Sequence, residues 1–174
     1  MVSLAGVQVI VRPYEETDYP VGRSLWVELT DHHRRIYGDP TIGGDDPGAG
    51  FDDYLATPER VGSWVAEVEG RVVGLTGLFD HGASGEVEPV VVTVALRSGG
   101  VGRTLIDRVV EEASTRGFEY LAIRPVARNT SAIRAFHAAG FRTLGAHVDL
   151  TMDLSERRHS WRSGPSLFGL DFHY

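Results

Sequence analysis

The sequence predicts a mixed α/β (α+β) fold: a single domain with one mixed, mostly antiparallel sheet flanked by helices on both faces. Segments with strand-like alternation and segments with helical spacing follow one another in the order β-α-(α)-β-β-β-α-β-α-β. Two of the strand segments are joined by a tight-turn pair, which makes them an antiparallel hairpin. A strand-helix-strand segment around residues 86–124 predicts a local parallel pair. The sheet should therefore contain both kinds of pairing.

The first half of the chain predicts two helices and three strands. Strands are indicated by alternating β-branched residues, and helices by apolar residues three or four positions apart. The predicted segments are a strand at residues 7–13, a helix from Asp18, a short helix at 51–56, and a hairpin whose strands meet at Glu69 and Gly70. Between the helices, residues 38–50 form a loop rich in Gly, Pro and Asp. This loop is either a solvated turn region or a mobile acidic lip over a pocket.

The second half predicts two further helices, each stopped by a glycine. An apolar face runs along the first helix from Val101 and ends before Gly117. The other predicted segments are a strand at residues 86–96, a strand at 118–125, a helix capped by Thr130 or Ser131 and ended by Gly140, and a last strand at 147–154.

Length and composition limit the partners. The 174 residues, 42% of them hydrophobic, are enough for one core. We expect a domain over residues 1–154 and an aromatic tail over 155–174 that docks on this domain or on a second subunit. With a formal charge of −7, nucleic acid and anionic membranes are poor partners, and a cationic or neutral substrate fits better. The absence of cysteine and lysine excludes thiolate and Schiff-base chemistry. Lacking an apolar leader or long apolar run, the chain is expected to be cytoplasmic.

A glycine turn, "R-S-G-G-V-G" at residues 97–102, separates a strand from a helix. Glycines there let the backbone approach a ligand closely and aim free N–H groups at an anion. A dinucleotide-binding fingerprint would need a third glycine near Leu105, which is missing. Taken alone, the turn is either a structural tight turn or an anion site.

The surrounding residues carry a resemblance to a known family. The glycine turn fits Arg/Gln-x-x-Gly-x-Gly/Ala, follows a β-branched strand, and is followed by "N-T-S-A-I-R-A-F-H-A-A-G-F" at residues 129–141. Over roughly residues 71–154 the sequence resembles the GNAT superfamily of acyl-coenzyme A dependent N-acetyltransferases. The resemblance implies that the fold is GNAT-like and that acetyl-CoA is the co-substrate. The expected activity is transfer of the acetyl group to a primary amine of a small molecule or peptide, by direct attack in a ternary complex.

The resemblance also implies the cofactor contacts. The glycine turn would cradle the pyrophosphate, the preceding strand would pair with the pantetheine arm, and the following helix would supply polar contacts. The implied residues are Val92, Thr93, Val94, Arg97, Ser98, Gly99, Gly100, Val101, Gly102, Arg103, Asn129 and Ser131. Taken alone, Asn129 is also an ordinary helix cap.

The sequence offers more than one candidate for the catalytic base and for the catalytic acid. Glu88 lies where several family members carry a base for the amine, and Glu86 would share its face of the strand; the alternative is that both are exposed strand charges. A main-chain N–H near Val94 is the expected oxyanion donor. The tyrosine that usually protonates the leaving thiolate is replaced by Phe136, which leaves His137, Tyr120, a water or no acid at all.

The N-terminal half of the chain contains the residues that bear on the identity of the acceptor. Asp31, His32 and His33 do not match a metal site, because adjacent histidines point to different sides of a helix, so a solvated helix end is expected and no metal. The acidic loop favours a cationic amine. The resemblance also suggests a homodimer. The alternative function is a coenzyme A-binding sensor or interaction module without turnover.

Overall fold

A computed structural model describes residues 8–142 and the backbone of residues 163–167 and 170–173. The described residues fall into two compact units, divided between Arg142 and Thr143. The predicted strand at residues 147–154 lies outside the described residues. The expected domain boundary at residue 154 and the docking of the aromatic tail stay predictions.

The first unit contains five strands and four α-helices, in the predicted order. They are β1 (Val9–Pro13), α1 (Tyr19–Tyr37), α2 (Ala49–Ala56), β2 (Arg60–Val68), β3 (Arg71–Asp80), β4 (Ser84–Val92), α3 (Val101–Thr115), β5 (Tyr120–Ile123) and α4 (Thr130–Ala139). The second unit contains β6 (Ser163–Leu167) and β7 (Leu170–His173), which pair antiparallel. No helix among the described residues is long and apolar enough to cross a membrane.

The five strands form one sheet in the order β1-β2-β3-β4-β5. All pairs are antiparallel except β4 and β5, which are parallel. The β2–β3 hairpin turns at Glu69 and Gly70, whose φ angles of 51° and 72° match the twist that a two-residue hairpin needs. The predicted mixed, mostly antiparallel sheet is confirmed.

Helices cover both faces of this sheet, as predicted. On one face, α1 and α2 pack Leu25, Phe51 and Tyr54 against the sheet residues Leu75 and Val91. On the other face, α3 buries its apolar stripe; the residues there are Val101, Leu105 and Val109 from α3, with Ala66, Val73, Leu78 and Val87 from the sheet. The side-chain alternation of β2, β3 and β4 supplies both cores at once.

A bulge interrupts β4 opposite Gly77. Thr76 pairs with Val90 and Leu78 pairs with Val87, so Gly77 alone faces Glu88 and Pro89. A Cβ atom at Gly77 would overlap the Tyr54 hydroxyl and lie 2.6 Å from the Glu88 carbonyl oxygen. Only glycine fits at this position without moving the bulge.

Two predicted boundaries are wrong. The strand predicted over residues 86–96 starts earlier, at Ser84, and ends at Val92, and Val94–Leu96 form a 3₁₀ turn. The cap of α4 is Asn129, one position before the predicted Thr130, because its Oδ1 accepts the Ala132 N–H at 3.1 Å. The glycine stop holds: Gly140 ends α4 with φ 116°.

We predict that Gly77→Ala lowers the free energy of unfolding by about 3 kcal/mol, because the new methyl group overpacks a buried site between backbone and side chain. Urea unfolding followed by circular dichroism measures it. Gly102→Ala is the matched control, since a Cβ there meets nothing closer than Val92 Cγ2 at 3.6 Å. Equal stability of the two variants would show that β4 does not need the bulge opposite Gly77.

Candidate functional site

Two adjoining clefts open where β4 and β5 part. The parallel pairing runs from Ser84–Tyr120 to Val87–Ile123 and stops there, whereas β4 continues to Val92. In the described sheet the outer edge of β4 is unpaired from Glu88 onward. The clefts share five lining residues, Leu29, Val90, Asn129, Ala132 and Phe136. This shared wall is the junction of the site.

The unpaired edge of β4 offers main-chain groups to the clefts. The Thr93 N–H donates to the Val73 carbonyl at 2.9 Å, and Val92 and Val90 are paired with Gly74 and Thr76. Groups alternate in direction along an antiparallel strand, so the N–H groups of Val90 and Val92 point away from β3. The Val92 carbonyl accepts from Arg97 Nε at 2.9 Å on that same side.

The larger cleft, about 350 Å³, runs from this edge to the start of α3 and α4. It brings together most of the residues predicted to contact a cofactor: Val92, Arg97, Ser98, Gly100, Gly102, Arg103, Asn129 and Ser131. Four predicted residues do not line it. Val101 is buried in the α3 core, Gly99 lies within the glycine turn, and Thr93 and Val94 face α1.

The glycine turn presents free N–H groups at one end of this cleft. Gly100 begins α3 with φ 92°, a conformation that a side chain rarely adopts. The first hydrogen bond of the helix runs from the Thr104 N–H to the Gly100 carbonyl, so the N–H groups of Val101, Gly102 and Arg103 have no acceptor within the helix. Together with the positive end of α3 they form a site suited to an anion.

Two arginines flank the turn and are held in place. Arg97 is half-buried with its Nε on the Val92 carbonyl, and burial lowers the pKa of Arg97, although a guanidinium keeps its charge in proteins. Arg103 bonds Asp107 at 2.7 Å and the Ala138 carbonyl at 3.0 Å, which ties α3 to α4. The cleft is therefore positively charged beside the free N–H groups.

Asn129 holds the opposite wall of the cleft. Its side-chain oxygen accepts from the Ala132 N–H and from Ser131 Oγ at 2.9 Å. The capping alternative for Asn129 is thus observed, and a contact of Asn129 or Ser131 with a cofactor stays a prediction. His32 of α1 lines the same cleft as Asn129.

The smaller cleft, about 120 Å³, contains both predicted carboxylates. Glu86 is buried and ion-paired with Arg124, and its carboxylate lies 3.2 Å from His81 Nε2. Glu88 is exposed in the bulge, and its carboxylate makes no hydrogen bond or ion pair with the described residues. Of the two, Glu88 is the carboxylate available to a ligand.

The predicted proton donors lie outside both clefts. His137 is exposed on α4 and lines neither of them, whereas Phe136 beside it lines both. Tyr120 begins β5 opposite Ser84, at the far end of the parallel pair from the clefts, and is 69% exposed. The structure therefore does not bring His137 or Tyr120 together with Glu88.

Sequence reasoning missed Glu28, which fixes the end of β4. Its carboxylate accepts from Thr93 Oγ1 at 2.8 Å and from the Val94 N–H at 2.9 Å. The main-chain N–H expected to stabilise an oxyanion is therefore already bonded. The N–H groups of Val90 and Val92 are the ones directed to the clefts. A glutamate on a helix surface gives no sequence signal of a partner sixty-five residues away.

Sequence reasoning also misjudged the two histidines of α1. They were expected at a solvated helix end, but both are half-buried: His32 lines the larger cleft and His33 the smaller one, with ring centroids 6.3 Å apart. Burial lowers the pKa of each imidazole. Within residues 8–142 and the two short strands, no group of His, Asp or Glu could hold a metal ion.

The acidic loop does not border either cleft. Arg34 bonds the Ile42 and Gly44 carbonyls, both at 2.8 Å, and Arg23 pairs with Asp46. None of the aspartates between Asp39 and Asp53 is among the lining residues. The carboxylates that line the smaller cleft come from β4. The acidic lip over a pocket, one of the two alternatives for this loop, is not observed.

Comparison with known proteins agrees with this geometry. The N-acetylaspartate synthetases of Rattus norvegicus and Homo sapiens are 28% and 27% identical to the chain over 116 residues, 63% of its length. The match spans only 39% and 38% of those relatives' own lengths.

Solved acetyltransferases share the fold. AAC(6')-Iy, an aminoglycoside N-acetyltransferase solved with a CoA-linked bisubstrate analogue, superposes with a TM-score of 0.63 at 18% identity, covering 84% of this chain and 99% of that one. The ribosomal-protein-alanine N-acetyltransferase of Brucella melitensis gives 0.65 at 15% identity, covering 83% and 100%. The model of the acetyltransferase (GNAT) family matches residues 26–141, from within α1 to the end of α4. The chain belongs to the GNAT acetyltransferase family.

Proposed function

We propose that the chain transfers the acetyl group of acetyl-CoA to a primary amine of a small molecule or peptide, by direct attack in a ternary complex. One observation carries the proposal: the unpaired edge of β4 leads from a free carboxylate, Glu88, to an anion site at the glycine turn. The coenzyme has the matching order of groups, with a thioester at one end, amides along its arm and a pyrophosphate at the other end.

The larger cleft fits the coenzyme by its chemistry. The free N–H groups at the start of α3, with Arg97 and Arg103, would hold the pyrophosphate. One of the outward N–H groups of Val90 and Val92 would bond the pantetheine arm as an added strand does. Asn129 and Ser131 would contact the coenzyme from α4, and the backbone of Ser98 to Gly100 would line the phosphates.

The smaller cleft would receive the acceptor amine. Glu88 attracts an ammonium group and takes its first proton, because Glu86 is already ion-paired with Arg124. The N–H of Val90 or Val92 would stabilise the charge that develops on the carbonyl oxygen of the thioester. The names of the similar proteins, an N-acetylaspartate synthetase and an aminoglycoside N-acetyltransferase, support an amine acceptor. We propose that the amine is cationic, because Glu88 is a free carboxylate and the chain has a formal charge of −7.

One observation favours the alternative of a coenzyme A-binding module without turnover. Phe136 occupies the junction of the clefts where the family resemblance implies a tyrosine, and it has no proton to give. Binding and turnover must therefore be measured separately. The cytoplasmic location, the homodimer and the absence of nucleic-acid and membrane partners stay predictions.

We predict that Gly102→Trp weakens acetyl-CoA binding by about 100-fold or more, since the indole would fill the larger cleft beside Val92. Isothermal titration calorimetry measures the dissociation constant. Gly102 is preferred to Gly100 because its backbone is helical, so no conformational strain is added. The control, Gly102→Ala, should bind within a few-fold of the parent. Tight binding to the tryptophan variant would contradict the assignment of this cleft.

We predict that Glu88→Gln lowers kcat by about 100-fold with the best amine of a cationic panel, because the amide cannot take the ammonium proton. Release of the coenzyme thiol reports the rate. Glu111→Gln is the matched control, since Glu111 is an exposed carboxylate on α3 that lines neither cleft. An unchanged rate across the pH range would show that Glu88 is not the base. Binding of acetyl-CoA with no turnover of any amine would favour the module without activity.

A further inference from the structure

The site lacks a group that can protonate the leaving thiolate at the position where the family resemblance implies one. Phe136 lines both clefts, so its ring reaches the junction where the thioester would react. His137 and Tyr120 lie outside the clefts. A thiolate can leave without an acid, but a positioned proton donor typically adds about 100-fold or more to such a step.

His32 is placed to fill this role. It lines the larger cleft together with Phe136, the β4 edge and Asn129, one of the junction residues. Among the described residues that line this cleft, His32 carries the only imidazole, and no tyrosine lines it. His33 belongs to the smaller cleft, on the acceptor side with Glu88.

Burial, and after it the charges around His32, favour the neutral form of its imidazole. Burial lowers the pKa of His32 from the ordinary value of 6.5, Arg97 from the glycine turn and Arg35 from the same helix lower it further, and the Asn129 side chain opposes them. The neighbouring His33 is itself buried with a lowered pKa, and the Glu28 carboxylate one turn earlier is bonded to Thr93 and Val94. A neutral imidazole can both accept and donate a proton.

We infer that His32 is a catalytic residue that relays a proton from the amine nitrogen to the sulfur of coenzyme A. This inference rests on the proposed function. The acceptor ammonium loses its first proton to Glu88 and then to solvent. The nitrogen attacks the thioester carbon, the C–N bond forms, and His32 takes the second proton. As the C–S bond breaks, its electron pair goes to sulfur and His32 gives the proton to it, so the ring ends neutral, as it began.

The experiment first replaces the imidazole of His32 and then introduces a hydroxyl group at Phe136. His32→Gln keeps a polar side chain in the larger cleft but cannot relay a proton, so acetyl-CoA binding should stay within a few-fold while kcat falls by about 100-fold. The parent kcat should fall as the pH drops through the pKa of His32, below 6.5, because the protonated ring cannot accept a proton. His32→Gln should lack this acid limb.

The second variant tests whether the reaction needs a proton donor at the junction, whichever residue supplies it. In the His32→Gln background, Phe136→Tyr places a phenol at the junction and should recover about 10-fold or more of the lost kcat. Phe136→Leu in the same background is the matched control and should recover nothing. If His32→Gln does not fold, as judged by circular dichroism and acetyl-CoA binding, His32→Asn is used in its place.

The outcomes separate this inference from the proposed function. An active parent whose kcat is unchanged in His32→Gln overturns the relay and leaves the proposed function standing. A loss confined to the KM for acetyl-CoA, with no recovery by the tyrosine, also overturns it and shows a cofactor-binding role. A parent that binds acetyl-CoA and turns over no amine overturns both. A lowered kcat with a lost acid limb and recovery by Phe136→Tyr supports the relay.

Discussion

The pairing of β4 with β5 ends at Val87 and Ile123, and both clefts exist because it ends there. A strand edge with unpaired N–H and C=O groups must find other partners, since such groups are costly to leave unsatisfied when buried. Here they face an open cleft rather than another strand. The edge is thus the part of the sheet that can accept an extended ligand.

The bulge at Glu88 and Pro89 separates the part of this edge that supplies a free carboxylate from the part that supplies free N–H groups. It adds one residue opposite Gly77, so the side chains before and after it are out of phase with a regular strand. Glu86 turns to Arg124 and His81, whereas Glu88 is left without a partner among the described residues. One strand thereby supplies a free carboxylate at one end and free main-chain donors at the other.

The walls of the clefts are fixed by contacts from distant parts of the chain. Glu28 of α1 bonds the Thr93 hydroxyl and the Val94 N–H, which ends the strand and shapes the turn after it. Arg103 joins α3 to the carbonyl end of α4, and Asn129 caps the start of α4 in the cleft that His32 also lines. These bonds keep the glycine turn and α4 on either side of the same opening.

Local chemistry in the sequence was enough to predict the elements that depend on it. The conformational freedom of glycine predicts the hairpin at Glu69 and Gly70 and the glycine ends of the helices. The glycine pattern also predicts the glycine turn, and the structure shows which of its N–H groups are free. The bulge, the Glu28 bonds and the burial of the histidines could not be predicted, because each depends on residues that meet only in the folded chain. The acidic loop was misinterpreted for the same reason: none of its aspartates lines a cleft, and Asp46 pairs with Arg23 within the N-terminal half.

The central claim is that coenzyme A lies along the unpaired edge of β4 with its phosphates on the glycine turn. Hydrogen–deuterium exchange of backbone amides, with and without acetyl-CoA, tests it residue by residue. The claim predicts slower exchange at Val90, at Val92 and across Val101 to Arg103, with the β1 amides unchanged. Binding that protects none of these amides, or protects a different surface, would contradict it.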